Sequence, residues 1–268
     1  MTLSIQGKTA IVTGAAAGIG LAIARHFVDK GANVMCADID EVRLESECGE
    51  AARSEGAMRF FGGDLREKLT IANLLSATID AFDRVDILVN ASRQFALSDP
   101  LDPGADNVEL MLQHNLMSAL RLSQLTARRM IAQAEKAGQT GPIGSIVNLS
   151  SVAASRSQPE LLGYSVATAA IEQMTRTLAL ALAPRGIRVN AVAFGSVMSA
   201  SLQTQIKDHP GYRGVIVEGT PIGRIAAPSE LAECVQFLAS DAAGFMTGQV
   251  MTVDGGRSLS DTVRAPAH

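Results

Sequence analysis

The chain has 268 residues, 47% of them hydrophobic and 19% charged, with a net charge of −4, which is enough to build a substantial core in one large unit. It has an acidic balance, no basic run and no uninterrupted apolar stretch of about 18 residues, so it gives no reason to expect nucleic acid or a membrane as partner. Its three cysteines, Cys36, Cys48 and Cys234, are widely spaced with no CxxC pair, which argues against a disulfide framework or a metal site and for reduced thiols in the cytoplasm.

Lys8 and the apolar run behind it, to Ala24, have the basic start of a secretion signal, but the glycines inside the run argue otherwise. The same residues read as a short β-branched strand, KTAIVTG (8–14), then helical periodicity over 21–32 that stops at Gly31, a natural C-terminal cap. There follow strand NVMCAD (33–38), a helix over 41–54, strand MRFF (58–61), a helix over 68–82 and strand DILVN (86–90). A long helix over 107–134 leads to strand GSIVNLS (144–150), a helix over 161–183 and strand RVNAVA (188–193). Residues 195–228 form a looser region ahead of a helix over 229–240 and a terminal QVMTVDGG (249–256). Near-continuous apolar strands alternating with amphipathic helices predict an α/β fold. It is a doubly wound, Rossmann-type parallel sheet of about seven strands with helices on both faces, in a single domain over 1–268. EKAGQTGPIG (135–144) reads as a flexible turn within it.

The first strand runs straight into TGAAAGIG (13–20), which opens the first helix. Gly14 permits a tight turn, Gly18 a close backbone approach to a pyrophosphate, and Gly20 close packing of helix on strand. A glycine-rich turn is weak evidence alone, because any strand-to-helix turn can carry glycines. Asp38 adds to it: it ends the second strand eighteen residues beyond Gly20, where a carboxylate can accept from both ribose hydroxyls of an adenosine and repel a 2′-phosphate. Ala15, Ala16 and Ala17 supply no cation for that phosphate, so the pattern favours NAD over NADP, although an aspartate at a strand end is also a common helix cap.

Taken with Asp64 in GDL, DILVNAS (86–92), Asn115 in HNLMSAL, GSIVNLSS (144–151), Tyr164, APRGIRVNAV (183–192) and TGQVMTVDGG (247–256), these motifs make the chain resemble the short-chain dehydrogenase/reductase family over nearly its whole length. The resemblance implies a cofactor site at Gly14, Gly18, Ile19 and Gly20, with Asp38 at the ribose, Asp64 and Leu65 at the adenine, Asn90 bracing the fourth strand beside the cofactor, and Arg93 and Gly195 toward its nicotinamide end. It implies that Asn115 interrupts its helix to hold a water, that Ser151 orients a substrate carbonyl, and that Tyr164 transfers the proton. A hydroxyl donor and a phenol converging on one oxygen suit acid–base catalysis. Taken singly, Ser151 reads equally as a strand end and Tyr164 as a partly buried tyrosine at a helix start.

Three departures fall near one place. The family's Tyr-x-x-x-Lys reads Tyr164 to Thr168, Arg93 stands where a glycine is expected, and Phe194-Gly195 replaces Pro-Gly. A cation about 5 Å from a phenolate, at an effective dielectric of ~20, stabilises it by roughly 3 kcal/mol. Thr168 can offer a ribose a hydroxyl but no charge. Arg93 either supplies part of that charge or points to solvent.

Three functions follow. The chain is an NAD-dependent oxidoreductase of a secondary alcohol or carbonyl, atypical because of Thr168; or a catalytically degenerate NAD-binding sensor, scaffold or assembly protein; or a catalyst of proton chemistry without net redox. The resemblance also implies a homotetramer, else a dimer, built on the helices over 107–134 and 161–183. Residues 195–228 are expected to form a substrate lid with Met198, Leu202, His209, Tyr212 and Arg224. Arg93 and Arg156 favour an anionic substrate if both face the cleft, and His114 reads as a packed or surface residue.

Overall fold

Every residue of β1 (Thr9–Thr13) is buried, because it lies between two strands and beneath helices on both faces. The computed structural model describes residues 2–53 and 56–261, so the expected helix end at Ser54 lies outside them. Around β1 stand β2 (Asn33–Asp38), β3 (Met58–Gly62), β4 (Ile87–Asn90), β5 (Gly144–Ser151), β6 (Ile187–Phe194) and β7 (Val250–Val253). They form one sheet in the order β3-β2-β1-β4-β5-β6-β7, with every pair parallel. The chain reverses its direction of travel across the sheet after β3 and re-enters beside β1. This is the topological switch point at which open parallel sheets leave a crevice beyond their carboxyl ends.

The connecting helices are α1 (Gly18–Asp29), α2 (Glu41–Arg53), α3 (Lys68–Phe82), α4 (Val108–Met111), α5 (Ser118–Ala137), α6 (Leu162–Leu182), α7 (Ala200–Asp208), α8 (Tyr212–Glu218) and α9 (Pro228–Ala239). Neighbouring residues of a strand face opposite ways, and the two halves of the core divide accordingly. Val12 joins Phe27, Val235 and Leu238 on one side, and Ile11 joins Leu88, Leu122 and Ile146 on the other. Helix α1 begins three residues before the expected position, since the glycine-rich turn itself starts the helix, and Gly31 closes it at φ +81°. The stretch expected to be loose, 195–228, holds α7 and α8. Both are short, of nine and seven residues, too short for their periodicity to stand out between the turns around them. The long helix expected over 107–134 is interrupted by a π-helical turn, Leu112–Met117, between α4 and α5.

The middle of the sheet carries a buried polar chain. Asn90 Nδ2 donates to Ser123 Oγ at 3.0 Å and to Asn148 Oδ1 at 2.7 Å, and Asn148 Nδ2 donates to Thr175 Oγ1 at 2.9 Å. Both asparagines are almost fully buried, so these bonds tie β4 and β5 to α5 and α6 in one register. Asn148→Ala leaves a buried amide proton of Asn90 without an acceptor. It is expected to lower unfolding free energy by about 1–3 kcal/mol, read as a lower urea midpoint at unchanged slope; an unchanged midpoint shows that the chain carries no stability.

Candidate active site

Two clefts open at the carboxyl ends of the strands. The first, of about 410 Å³, is lined by Gly14, Gly18, Ile19, Gly20, Asp38, Asp64, Leu65 and Arg93. Gly14 has φ +66°, and a Cβ there would stand 2.8 Å from Ser92 Cα; one on Gly20 would collide with the carbonyl oxygen of Gly14. Side chains are therefore excluded at both positions by backbone, which lets turn, helix and neighbouring loop meet. Ala17 caps α1 without a side-chain acceptor, and no acid lies in the first turn. The unpartnered N–H groups and positive end of that helix suit an anion such as a dinucleotide pyrophosphate, and the glycine cradle leaves room for it.

At the far end of this cleft, Asp38 accepts the N–H groups of Ala16 and Asp40, each at 3.1 Å, leaving lone pairs for further donors. Asp64 is engaged by Arg66, whose Nε lies 3.0 and 2.9 Å from its two oxygens. Those hydrogen bonds hold the Asp64 carboxyl below its ordinary range. Arg66 also reaches His114 Nε2 at 3.1 Å. Burial, with that guanidinium second, pushes the imidazole down from its usual value. Sequence reasoning missed Arg66, whose only signal was its position next to GDL. Asn90 does not line this cleft but a small recess beside it, which shares Leu65, Ser92 and Ser118 with the cleft wall.

The second cleft, of about 550 Å³, brings together Ser151, Tyr164, Gly195, Arg93 and Arg156. Tyr164 is buried in the first turn of α6. Its phenol oxygen accepts a hydrogen bond from Arg93 Nη1 at 3.0 Å, and its ring meets the edge of Phe95 with centroids 5.5 Å apart. The Arg93 guanidinium carbon lies 4.7 Å from the centre of the Phe194 ring, so the loop after β4 and the end of β6 pack on each other through these two side chains. Although Arg93 is exposed as a whole residue, its guanidinium is directed at Tyr164 rather than left in solvent.

Thr168 lines neither cleft. It is 3% exposed, and its hydroxyl donates to the carbonyls of Tyr164 at 2.9 Å and Ser165 at 3.1 Å. A threonine hydroxyl is short, and the carbonyl one turn back is the acceptor within reach. The hydroxyl contact to a ribose considered from sequence therefore gives way to a bond within α6. Ser151 Oγ accepts the Ala153 N–H at 3.2 Å, which fixes the oxygen while leaving its proton free to donate.

Asn115 lies in the π-helical turn, but its side chain closes on backbone. Oδ1 accepts the Gln94 N–H at 2.7 Å, and Nδ2 donates to the Gln94 carbonyl at 3.0 Å. The loop after β4 is pinned at two further points. Thr13 Oγ1 accepts the N–H groups of Ala91 and Ser92, both at 3.0 Å, and Ser98 Oγ accepts the Gly163 N–H at 3.1 Å, next to Tyr164. Sequence reasoning missed Phe95, Ser98 and Arg257, all brought in by loops. Arg257 reaches the second cleft because Gly255 and Gly256, at φ +64° and +85°, turn the chain back after β7. Of the residues expected in a lid, Leu202 lines the cleft; His209 and Tyr212 stack on each other at 4.7 Å, and Arg224 pairs with Glu230 at 2.6 Å.

Comparison with known proteins fits this geometry. The profile of a family described as enoyl-(acyl carrier protein) reductase matches residues 14–258. The 3-oxoacyl-(acyl-carrier-protein) reductase FabG of Thermotoga maritima is 31% identical over 254 residues, 95% of this chain and 99% of that protein. The D-threitol dehydrogenase of Mycolicibacterium smegmatis is 31% identical over 256 residues, 95% of this chain and 94% of that one. A 7α-hydroxysteroid dehydrogenase solved with NADH and 7-oxo glycochenodeoxycholic acid superposes with a TM-score of 0.85 at 31% identity, covering 95% of each chain. With a matched profile over most of its length, relatives near one-third identity and the same doubly wound sheet, the chain belongs to the short-chain dehydrogenase/reductase family of oxidoreductases.

Proposed function

We propose that the protein is an NAD-dependent oxidoreductase interconverting a secondary alcohol and a ketone, with Tyr164 as acid–base and Arg93 supplying the positive charge that the family draws from a lysine. The observation that carries this reading is the 3.0 Å hydrogen bond from Arg93 Nη1 to Tyr164 Oη in a cleft shared with Ser151. The cofactor, when bound, supplies or accepts the hydride at the carbonyl carbon. In reduction, Ser151 Oγ donates to the substrate oxygen and Tyr164 Oη delivers the proton that completes the hydroxyl. Arg93 stabilises the negative charge left on the phenol oxygen, and in oxidation the same groups run in reverse. Asn115, by holding both backbone groups of Gln94, fixes the loop from which Arg93 reaches.

Asp38 supports NAD as the cofactor: its carboxylate faces the first cleft, and the nearby cation Arg66 is engaged by Asp64 rather than free for a 2′-phosphate. Residues 195–228 act as the lid of the second cleft, with Leu202 at its wall. On α6, Val166 and Leu180 are 39% and 79% exposed, which supports pairing of this helix with a second copy in a tetramer or dimer. Free cysteines suit a cytoplasmic enzyme.

The chain lacks tryptophan, so calorimetric titration is the direct test of the cofactor. NADH is expected to bind at least about tenfold more tightly than NADPH, since the extra phosphate meets Asp38, and Asp38→Ser narrows the gap. Binding of neither nucleotide removes the reading.

Arg93→Ala is expected to lower kcat by about one to two orders of magnitude, the scale of one charged hydrogen bond. Adding Thr168→Lys restores much of the loss, whereas Thr168→Lys alone brings a second cation beside the guanidinium and gains little. Turnover of Arg93→Ala matching the parent at every pH refutes the assignment.

A further inference from the structure

The wall of the second cleft carries three arginines, Arg93, Arg156 and Arg257, and, among the described residues, no aspartate or glutamate, in a chain that has 27 acidic residues against 23 lysines and arginines. Such a concentration of one sign runs against the composition of the whole molecule. Arg93 is already directed at Tyr164. Arg257 is half-buried, and Nη1 donates to Ser196 Oγ at 3.1 Å. Asp254, close enough to feel the charge of Arg257, has its carboxylate engaged by the N–H groups of Gly256 at 2.9 Å and Ser258 at 2.6 Å. Arg156 forms no ion pair among the described residues; its backbone is anchored through its N–H to the Val152 carbonyl at 2.9 Å, just beyond Ser151.

We infer that the substrate is an anion, a hydroxy or oxo compound whose carboxylate is held by Arg156 and Arg257 while its reacting oxygen lies at Ser151 and Tyr164. This inference rests on the oxidoreductase reading and names its substrate class. A guanidinium presents paired N–H donors that match a carboxylate. Two such groups at the cleft wall, with no acid among its lining residues to neutralise them, favour an anion over a neutral homologue. Gln158, Leu161, Leu202 and Gln205 line the same cleft, so its wall offers both polar and apolar surface to the rest of the substrate.

The test uses straight-chain oxo acids of increasing length and their methyl esters, with NADH as reductant. The acids are expected to exceed their esters in kcat/KM by about tenfold to a hundredfold, the scale of a charged hydrogen bond, with the ratio falling as salt is added. Arg156→Gln and Arg257→Gln are each expected to collapse that ratio toward one, chiefly through KM of the acid. Equal handling of acid and ester at every length overturns the inference. Should no compound turn over, calorimetric binding of acids and esters, with and without NADH, decides. Tighter binding of acids supports the anion site even where NADH fails to bind, which would instead remove the cofactor reading; acids binding no better than esters, or not at all, overturn the anion site.

Discussion

The close passage of Gly14 against the backbone of Ala91 and Ser92 is the constraint on which both clefts depend. The turn after β1 and the loop after β4 cross so tightly that no Cβ fits at Gly14, and Thr13 Oγ1 closes the crossing by accepting two successive N–H groups of the loop. One wall of the crossing bares the N-terminus of α1. The other launches Arg93, Gln94 and Phe95 toward α6. Because loops carry backbone groups that must be satisfied when they are covered, this one can serve as a platform only with the further bonds from Asn115 to Gln94 and from the Ser98 N–H to the Glu160 carbonyl, and the structure contains both.

That platform explains how a cation can approach Tyr164 without a lysine at Thr168. A lysine at position 168 would extend along the same helix as the tyrosine; Arg93 instead descends from the opposite side of the cleft. Its planar guanidinium can donate to the phenol and lie against the Phe194 ring at once, a combination that a lysine ammonium holds less well. Thr168, Arg93 and Phe194 thus form one physical unit around Tyr164. Thr168 satisfies its own hydroxyl on the Tyr164 carbonyl, Arg93 brings a charge to the phenol oxygen, and Phe194 gives that charge a flat surface to rest on.

The sheet and its helices were legible because their signals are local. Short apolar runs such as 33–38 and 3.6-residue periodicity such as 68–82 need no distant partner to be recognised, and both match the observed bounds. Helices α7 and α8 escaped because each spans two turns or so among turn-forming residues. Within the site, Gly14 and Gly20 announce themselves by type, since only glycine fits such crossings. The direction of a long side chain does not: nothing in the residues flanking Arg93 says whether it reaches inward or outward, and the answer depends on Phe194 and Tyr164, 101 and 71 residues away. Arg66 and Arg257 were missed for the same reason, as their positions come from loop paths rather than element periodicity.

The two clefts are electrostatically unlike, and Arg93 stands where they meet, since it lines both. On the side of α1 the acids Asp38 and Asp64 face a helix N-terminus and Arg66, so opposite charges are interleaved. On the side of α6 the charged groups of the lining are, among the described residues, the three arginines Arg93, Arg156 and Arg257. An arginine at that junction closes a gap between a mixed region and a positive one. It is therefore poised to respond to both occupants: a charge arriving in either cleft alters the field at its guanidinium, and with it the stabilisation that the Tyr164 oxygen receives. Placing the cation on a loop between the clefts, rather than on the helix that carries the tyrosine, exposes the Tyr164 oxygen and its partner to the charge held in either cleft.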